Sequence, residues 1–206
     1  MASESILNVA IRQFGDRGFE GASTRAIAAE AGTVMSSITY HYGGKKGLYL
    51  ACADHIAASI VERLSPTLDA LPPTATLDRE GAIAAIRTLI QAMARLMMSE
   101  TSCDWSQFII REQQRPGPVF DRIYAAFMER ILLTLGELIH AAQPEIGEGS
   151  AKAMAISLVA QALILRSAYG AILRMFETDA LNDENKTLLL SIIDRNIEAI
   201  LRNEQP

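Results

Sequence analysis

Aromatic residues are scarce in this chain, at 6% of 206 residues, although half of all residues are hydrophobic. The sequence also lacks any stretch in which β-branched and polar residues alternate, the pattern of a half-buried strand. Alanine, leucine and isoleucine are abundant instead, which favours helices over sheets. The length allows a sizeable core, so the composition predicts an all-α protein of one large or two small domains.

Cysteine is nearly absent, and Cys52 and Cys103 occur without a CxxC motif or a nearby pair of histidines. This excludes a disulfide framework and a zinc site, and it fits a reduced, cytosolic compartment. Residues 1–5 include an acid and no base, so we expect no signal peptide. The most apolar run, residues 153–165, is too short to span a bilayer, and we expect no membrane partner.

Catalytic motifs are missing as well. His41, His55 and His140 lie far apart in the sequence, which contains no P-loop, GxGxxG or GxSxG motif. We therefore expect neither an enzyme nor a cofactor or metal site.

The most informative stretch is residues 24–49, which reads as two short helices followed by a glycine-lysine loop. Ser23 and Thr24 are good N-cap residues, and Gly32 supplies a turn without a Cβ penalty. The second helix, Met35–Tyr42, is short and polar, with Ile38 as its one strongly apolar inward residue. A helix, a glycine-containing turn and a short polar helix are typical of a helix-turn-helix, whose second helix enters the DNA major groove.

Several short motifs occur in a fixed order around this stretch: FGDRGF at 14–19, Thr24, Ile27-Ala28, Ala31-Gly32, ITYHY at 38–42 and KKGL at 45–48. Their order and spacing over about 45 residues resemble the N-terminal DNA-binding domain of TetR-family transcription regulators. The resemblance implies a three-helix DNA-binding domain at residues 1–47 and an effector-binding and dimerisation domain at 48–206.

The net charge of −5 is unusual for a nucleic-acid binder. Residues 1–50 contain five basic and four acidic residues and so carry +1, which leaves −6 for the other 156 residues. The asymmetry has the sign that DNA binding requires, but it is small. The motif, and not the charge, indicates DNA binding.

Side chains near the start of the second helix are placed to contact bases: Val34, Met35, Ser36, Ser37 and Thr39. None of them is Arg, Asn or Gln, so a bidentate base contact can come only from Arg25, at the start of the preceding helix. Met35 and the Thr39 methyl group can meet thymine methyl groups. By resemblance, Tyr40, His41 and Lys45 hold phosphates, while Thr24 caps its helix, whose N-terminus favours a phosphate. The alternatives are burial between helices for Tyr40 and Tyr42, and an ordinary surface histidine for His41.

The remaining chain is predicted to be a helical bundle. We expect helices at 5–17, 47–64, 77–99, 104–114, 119–142, 149–176 with Ser150 as its N-cap, and 182–203, with a proline-rich break at 65–76. By resemblance, the helix at 47–64 carries any signal from the body to the DNA-binding domain. Residues 105–124 further resemble the C-terminal domain of one TetR-family branch, the CerR-type regulators.

Two apolar helices predict a dimer. The helix at 151–176 is apolar nearly all round, and the last helix carries a strong apolar stripe. Similar proteins form a two-fold dimer through their last two long helices, which also places two recognition helices on two half-sites. The alternative is that both helices are monomer core.

An effector pocket is implied mainly by the resemblance. Its candidate residues are flexible apolar side chains and isolated polar groups: Met93, Met97, Trp105, Phe108, Arg111, Tyr124, Met128, Arg166 and Tyr169. Arg166 needs a partner, for which Glu112, Asp104 or an anionic ligand are candidates. The alternative is an ordinary core in which Arg166 pairs with a carboxylate.

The sequence as a whole predicts a homodimeric transcription regulator, a repressor released from operator DNA by a small-molecule effector. One alternative is a DNA-binding architectural protein that uses the same fold without a ligand. The other is a helical enzyme with an incidental helix-turn-helix.

Overall fold

A computed structural model describes residues 2–202, and every regular element in that range is helical, which confirms the all-α prediction. The helices are α1 (Ala2–Gly21), α2 (Thr24–Glu30), α3 (Met35–Tyr42), α4 (Lys45–Asp69), α5 (Arg79–Met97), α6 (Thr101–Gln114), α7 (Pro118–Ile123), α8 (Glu129–Ala142), α9 (Glu148–Ser167), α10 (Tyr169–Met175) and α11 (Asp183–Arg202). A 3-10 turn covers Thr74–Thr76, and Tyr124–Met128 is π-helical. The predicted end of the last helix, Asn203, lies outside the described residues.

The N-terminal helices follow the sequence pattern closely. The predicted second helix of the motif matches α3 at both ends, and Ile38 is fully buried beneath it. The first helix, predicted to end at residue 17, does break at Gly18, because Gly18 has a φ of 71° that only glycine adopts without strain. One further turn then carries α1 to Gly21. α1 packs on α2, and α2 packs on α3, so the predicted helix-turn-helix is confirmed as a three-helix arrangement.

The predicted break at residues 65–76 begins too early. α4 continues through Pro66 to Asp69, and the chain leaves the helix only there. A proline inside a helix removes one backbone donor, which here would have served the carbonyl of Glu62. Glu62 and Pro66 are exposed, so a local distortion of the helix at the proline does not disturb the core.

Two predicted long helices are each broken in the structure. The helix expected at 119–142 consists of α7, the π-helical turn and α8. The helix expected at 149–176 begins at Glu148, after Gly147 in an extended conformation, so Ser150 lies inside the helix and is not its N-cap. It is interrupted at Ala168, whose φ of −107° and ψ of 23° are not helical, shortly before the helix-weakening Gly170.

Close contacts group the described residues into two units. Those of 1–62 and 100–128 form the first, and those of 63–99 and 129–206 form the second. In the first, α6 packs on α1, and in the second, α5 is the central helix and packs on α8, α9 and α11. The boundary predicted at residues 47–48 rests on sequence motifs and stays a prediction.

Candidate nucleic-acid interface

The outer face of α3 is exposed although several of its side chains are apolar. Val34 is 63% exposed, Met35 48% and Tyr40 85%, while Ile38 on the opposite side is buried. A short helix held by one buried residue therefore presents the remainder of its surface to solvent. The high exposure of Tyr40 rules out the alternative in which that ring is buried between helices.

The hydroxyl groups of the motif differ in what they can offer to DNA. Thr33 Oγ1 donates to Ser37 Oγ at 3.2 Å, across the turn that precedes the helix. Thr39 Oγ1 donates to the Met35 carbonyl oxygen at 3.5 Å, within the helix itself. Ser36 is exposed. The turn is thus stabilised by a side-chain hydrogen bond that the sequence pattern did not indicate.

The N-terminus of α2 is capped by Ser23 and not by Thr24, which corrects the predicted role of Thr24. Ser23 has an extended backbone, and its Oγ accepts a hydrogen bond from the Ala26 amide at 3.5 Å. Thr24 is the first helical residue and is half-buried, whereas Arg25 beside it is exposed. The cap moves by one residue because only the residue before the first helical turn has the extended conformation that a cap needs.

The predicted phosphate contacts lie close to the recognition helix, and one of them already has partners. Lys45 Nζ donates to the Glu20 carbonyl oxygen at 3.1 Å and lies 4.9 Å from the centre of the Phe19 ring. Tyr40 and His41 are exposed, with ring centres 5.0 Å apart in an edge-to-face arrangement. Lys45 therefore ties α4 to the end of α1.

The corner between α3 and α4 depends on a close backbone approach. A Cβ atom on Gly47 would lie 1.6 Å from the Tyr42 carbonyl oxygen, so no larger residue fits without movement of the backbone. Gly43 ends α3 in the left-handed conformation, with a φ of 69°. The close approach at Gly47 and the left-handed conformation of Gly43 together form the corner between α3 and α4.

A polar clamp joins α1 to α2 on the surface. Glu30 Oε1 accepts from Arg12 Nη2 at 3.0 Å, and Glu30 Oε2 accepts from Gln13 Nε2 at 2.7 Å. The hydrogen bonds from Gln13 and then Arg12 lower the pKa of the Glu30 carboxyl. Sequence reasoning missed this clamp, because residues so far apart in the chain show no shared periodicity.

An aromatic cluster connects α1, α4 and α6 behind the helix-turn-helix. Its members are Phe14, Phe19, Tyr49 and Phe108. The Tyr49 ring centre lies 4.7 Å from that of Phe14 and 4.9 Å from that of Phe108. The Tyr49 hydroxyl donates to a carboxylate oxygen of Glu112, a residue that sequence reasoning named only as a candidate partner of Arg166. Burial, and then this hydrogen bond, raise the pKa of Tyr49 well above its ordinary value.

Only some of the predicted effector residues in the first unit are buried. Trp105 and Phe108 are buried in α6, whereas Tyr124 is 36% exposed and Met128 is half-buried in the π-helical turn. Arg111 is exposed and directs its guanidinium to main-chain carbonyls at the end of the first segment of α1. The ligand role of these residues stays a prediction, and Arg111 has a structural role that was not predicted.

The predicted effector residues in the second unit surround the end of α5. Met93 and Met97 are buried. Arg166 donates to the carbonyl oxygens of Met97 at 2.8 Å and Ser99 at 2.7 Å, and its guanidinium lies 4.8 Å from the centre of the Tyr169 ring. Carbonyl groups at a helix C-terminus attract cations, so they are partners for Arg166 beyond the carboxylates that the sequence suggested.

The apolar faces of α9 and α11 are exposed and adjacent. The exposed apolar residues are Ile156, Leu163 and Ile164 on α9 and Leu188 and Ile192 on α11. Asn196 Nδ2 of α11 donates to Gln161 Oε1 of α9 at 3.0 Å, so the two faces lie side by side. The alternative in which both helices are wholly monomer core is therefore wrong for these faces.

Among the described residues, α9 is the only single helix whose length and composition are those of a membrane span. α5 and α6 meet the same criteria only when they are counted together as one bent pair. The apolar run at residues 153–165 lies within the 20-residue helix α9, which also contains Lys152 and Arg166. Only 28% of the stretch is buried in the chain. One such helix is weak evidence for a membrane, since helices of soluble proteins share these properties. Within residues 2–202, no group of three or more His, Cys, Asp or Glu is placed to hold a metal ion.

Two family models match the chain. Residues 6–52 match the model of the bacterial regulatory proteins of the tetR family, and residues 82–203 match that of the C-terminal domain of the HTH-type transcriptional dual regulator CecR. The fold and the exposed recognition helix thus define a helix-turn-helix transcription regulator. The chain belongs to the TetR family, in the branch with a CecR-type C-terminal domain. The CerR-type branch predicted from the sequence is the branch of CecR. The family consists of transcription regulators and not of enzymes.

Two relatives agree with this assignment, and a solved structure shares the fold. The dual regulator CecR of Shigella flexneri is 35% identical over 147 residues, covering 68% of this chain and 64% of CecR. The regulatory protein RaaS of Mycobacterium tuberculosis is 36% identical over 98 residues, covering 48% of this chain and 46% of RaaS. The matched segments thus span less than two thirds of either relative. The structure of AibR with isovaleryl coenzyme A and operator DNA has a TM-score of 0.68 at 18% identity, covering 97% of both chains.

Proposed function

We propose that the protein is a homodimeric repressor that binds operator DNA through α3 and is released by a small-molecule effector. The observation that carries the DNA-binding part is the exposed face of α3, where Val34, Met35 and Tyr40 lie open within a TetR-type helix-turn-helix. The site of action is the bacterial cytoplasm, where operator DNA is found.

Phosphate contacts on both sides of α3 fix its position in the groove. Tyr40 and His41 are exposed at the helix, and Thr24 lies at the N-terminus of α2. Lys45 exchanges its bond to the Glu20 carbonyl for a phosphate when DNA arrives, a gain because the phosphate carries a full negative charge whereas the carbonyl oxygen is neutral. Such contacts position the protein, while the start of α3 and Arg25 contact the bases.

The dimer forms through the exposed faces of α9 and α11. Their five exposed apolar residues lie on adjacent helices in one unit, and burial of such a patch is favourable. A two-fold pair presents one α3 to each half-site, which are about 34–36 Å apart in other dimeric helix-turn-helix proteins.

An effector acts by shifting the population of dimers that match the operator. Of the candidate residues named from the sequence, Trp105 in the first unit has an Nε1 that is buried and finds no hydrogen-bond partner among the described residues. Since AibR was crystallised with isovaleryl coenzyme A and operator DNA, acyl-coenzyme A thioesters are the first class to test.

Selection of DNA from a random pool tests the DNA-binding function. The wild type is expected to enrich one palindromic sequence, and the Tyr40→Ala/Lys45→Ala variant to enrich none while it remains folded by circular dichroism. Equal enrichment by both proteins would exclude the recognition surface proposed here.

Titration of the protein–DNA complex with acyl-coenzyme A thioesters of increasing chain length tests effector release. A ligand that raises the melting temperature of the free protein should weaken the complex. Should every thermally stabilising ligand leave DNA affinity unchanged, the release mechanism is wrong, and ligand-independent binding by an architectural protein is the better description.

A further inference from the structure

The first turn of the recognition helix exposes apolar groups where base-reading side chains lie. Val34 immediately precedes α3 and is 63% exposed, and Met35 begins it and is 48% exposed. Neither side chain is needed to hold the helix, because Ile38 supplies the buried contact. Two exposed apolar side chains at this point are therefore available to a ligand.

The same helix lacks the side chains that identify bases by paired hydrogen bonds. Residues 33–42, TVMSSITYHY, contain no Arg, Lys, Asn, Gln, Asp or Glu. Guanine is most often read by Arg or Lys, adenine by Asn or Gln, and cytosine by Glu or Asp. Of the four bases, thymine alone has an apolar group in the major groove, its 5-methyl group.

The hydroxyl groups of α3 do not fill this gap, because a single hydroxyl can donate or accept at several base edges and so does not identify one base. Ser36 is exposed, Ser37 Oγ accepts from Thr33, and the Thr39 hydroxyl proton is directed to the Met35 carbonyl oxygen. Thr39 therefore offers a base edge its methyl group and an acceptor oxygen. At the start of α3, exposed apolar groups are therefore the main feature available to distinguish one base from another.

We propose that the protein recognises its operator mainly through thymine 5-methyl groups, which Val34 and Met35 contact in each half-site, with the Thr39 methyl group beside them. This specificity rests on the proposed entry of α3 into the major groove. It predicts half-sites whose central positions carry thymine on one strand or the other.

Uracil in place of thymine tests the inference, because it removes the methyl group and leaves base pairing unchanged. The probe is the duplex enriched from the random pool, made once with thymine and once with uracil at all half-site thymines. Loss of one buried methyl group corresponds to about a fourfold loss of affinity. With two contacts in each of two half-sites, four methyl groups are lost, which corresponds to about 250-fold if all four are fully buried, and the wild type should bind the uracil duplex at least about tenfold more weakly.

Variants assign the effect to residues. Val34→Ser and Met35→Gln should each reduce the ratio between the thymine and uracil affinities, because each removes an apolar partner of a methyl group. Uracil at thymines outside the half-sites should leave the affinity unchanged, which controls for DNA flexibility.

The outcomes separate this inference from the proposed function. Equal affinity for the two duplexes overturns thymine-methyl recognition while DNA binding stands. Loss of binding with 7-deazaguanine, without an effect of uracil, would assign recognition to Arg25 instead. If no sequence is enriched at all, the proposed function fails and this inference fails with it.

Discussion

Arg111 Nε donates to the Gly15 carbonyl oxygen at 3.2 Å, so a side chain of α6 closes the end of the first segment of α1. The same guanidinium also donates to the Asp16 carbonyl oxygen at 3.1 Å, just before the break at Gly18. α6 is thereby part of the unit that holds the helix-turn-helix. A change in α6 can reach that motif directly, and not only along α4, as the sequence indicated.

Replacement of Arg111 by alanine should weaken both folding and DNA binding. Two hydrogen bonds to carbonyl groups at a helix C-terminus are lost at an exposed position, which corresponds to about 1 kcal/mol of the free energy of unfolding. Urea unfolding measures this loss. Arg115→Ala is the matched control, because Arg115 is exposed just beyond the end of the same helix. Equal stability of the two variants would show that the Arg111 contacts are unimportant.

The hydrogen bond between Tyr49 and Glu112 should make stability depend on pH in the alkaline range. The pKa of Tyr49 is raised in the folded state by burial and by Glu112, so its contribution is complete below its unfolded pKa of about 10 and declines above it. The melting temperature of the wild type should therefore fall more steeply between pH 9 and 11 than that of Tyr49→Phe.

Tyr40→Phe provides the matched control for that comparison, since Tyr40 is 85% exposed. Its alkaline decline should parallel the wild type. Parallel declines for all three proteins would contradict the proposed linkage at Tyr49.

A charge on the exposed face of α9 should separate the subunits. Ile164 is 52% exposed in the single chain, and glutamate there would be buried without a partner in the dimer. Sedimentation of Ile164→Glu should show a folded monomer with weakened binding to palindromic DNA. Leu133→Glu, at a 63% exposed position on α8, should remain dimeric. A dimeric Ile164→Glu protein would place the interface elsewhere.

The corner between α3 and α4 should not tolerate a methyl group. In Gly47→Ala the new Cβ would overlap the Tyr42 carbonyl oxygen, so the backbone must move. This should lower the free energy of unfolding by several kcal/mol. Gly136→Ala, in α8 with open space around it, should be neutral or stabilising by about 0.5–1 kcal/mol. Thermal unfolding of both variants checks the contrast, and similar melting temperatures would refute it.

The parts of this molecule that local patterns determine were predicted from the sequence. The boundaries of α3, the break after residue 17 and the start of the last helix near Asn182, whose Oδ1 accepts from the Asn185 amide, all follow from residues within one turn. The continuation of α4 through Pro66 could not be predicted from local residues, because solvent exposure decides whether a helix tolerates a proline there.

Contacts between residues that are far apart in the chain could not be predicted from the sequence. Arg111 was predicted to bind an effector, yet its position in space brings it to α1, and no spacing in the chain indicates that approach. Lys45 was predicted as a phosphate contact without its bond to the Glu20 carbonyl. Long-range pairing of polar groups depends on how helices cross, which periodicity alone does not specify.

The most direct test of the account is the affinity for the enriched DNA duplex at two salt concentrations, measured with wild type and Tyr40→Ala/Lys45→Ala. We predict tight wild-type binding that weakens steeply with salt, and a variant whose affinity is much lower and whose salt dependence is smaller, because fewer phosphates are neutralised. The same affinity and the same salt dependence for both proteins would contradict the central claim that this surface binds operator DNA.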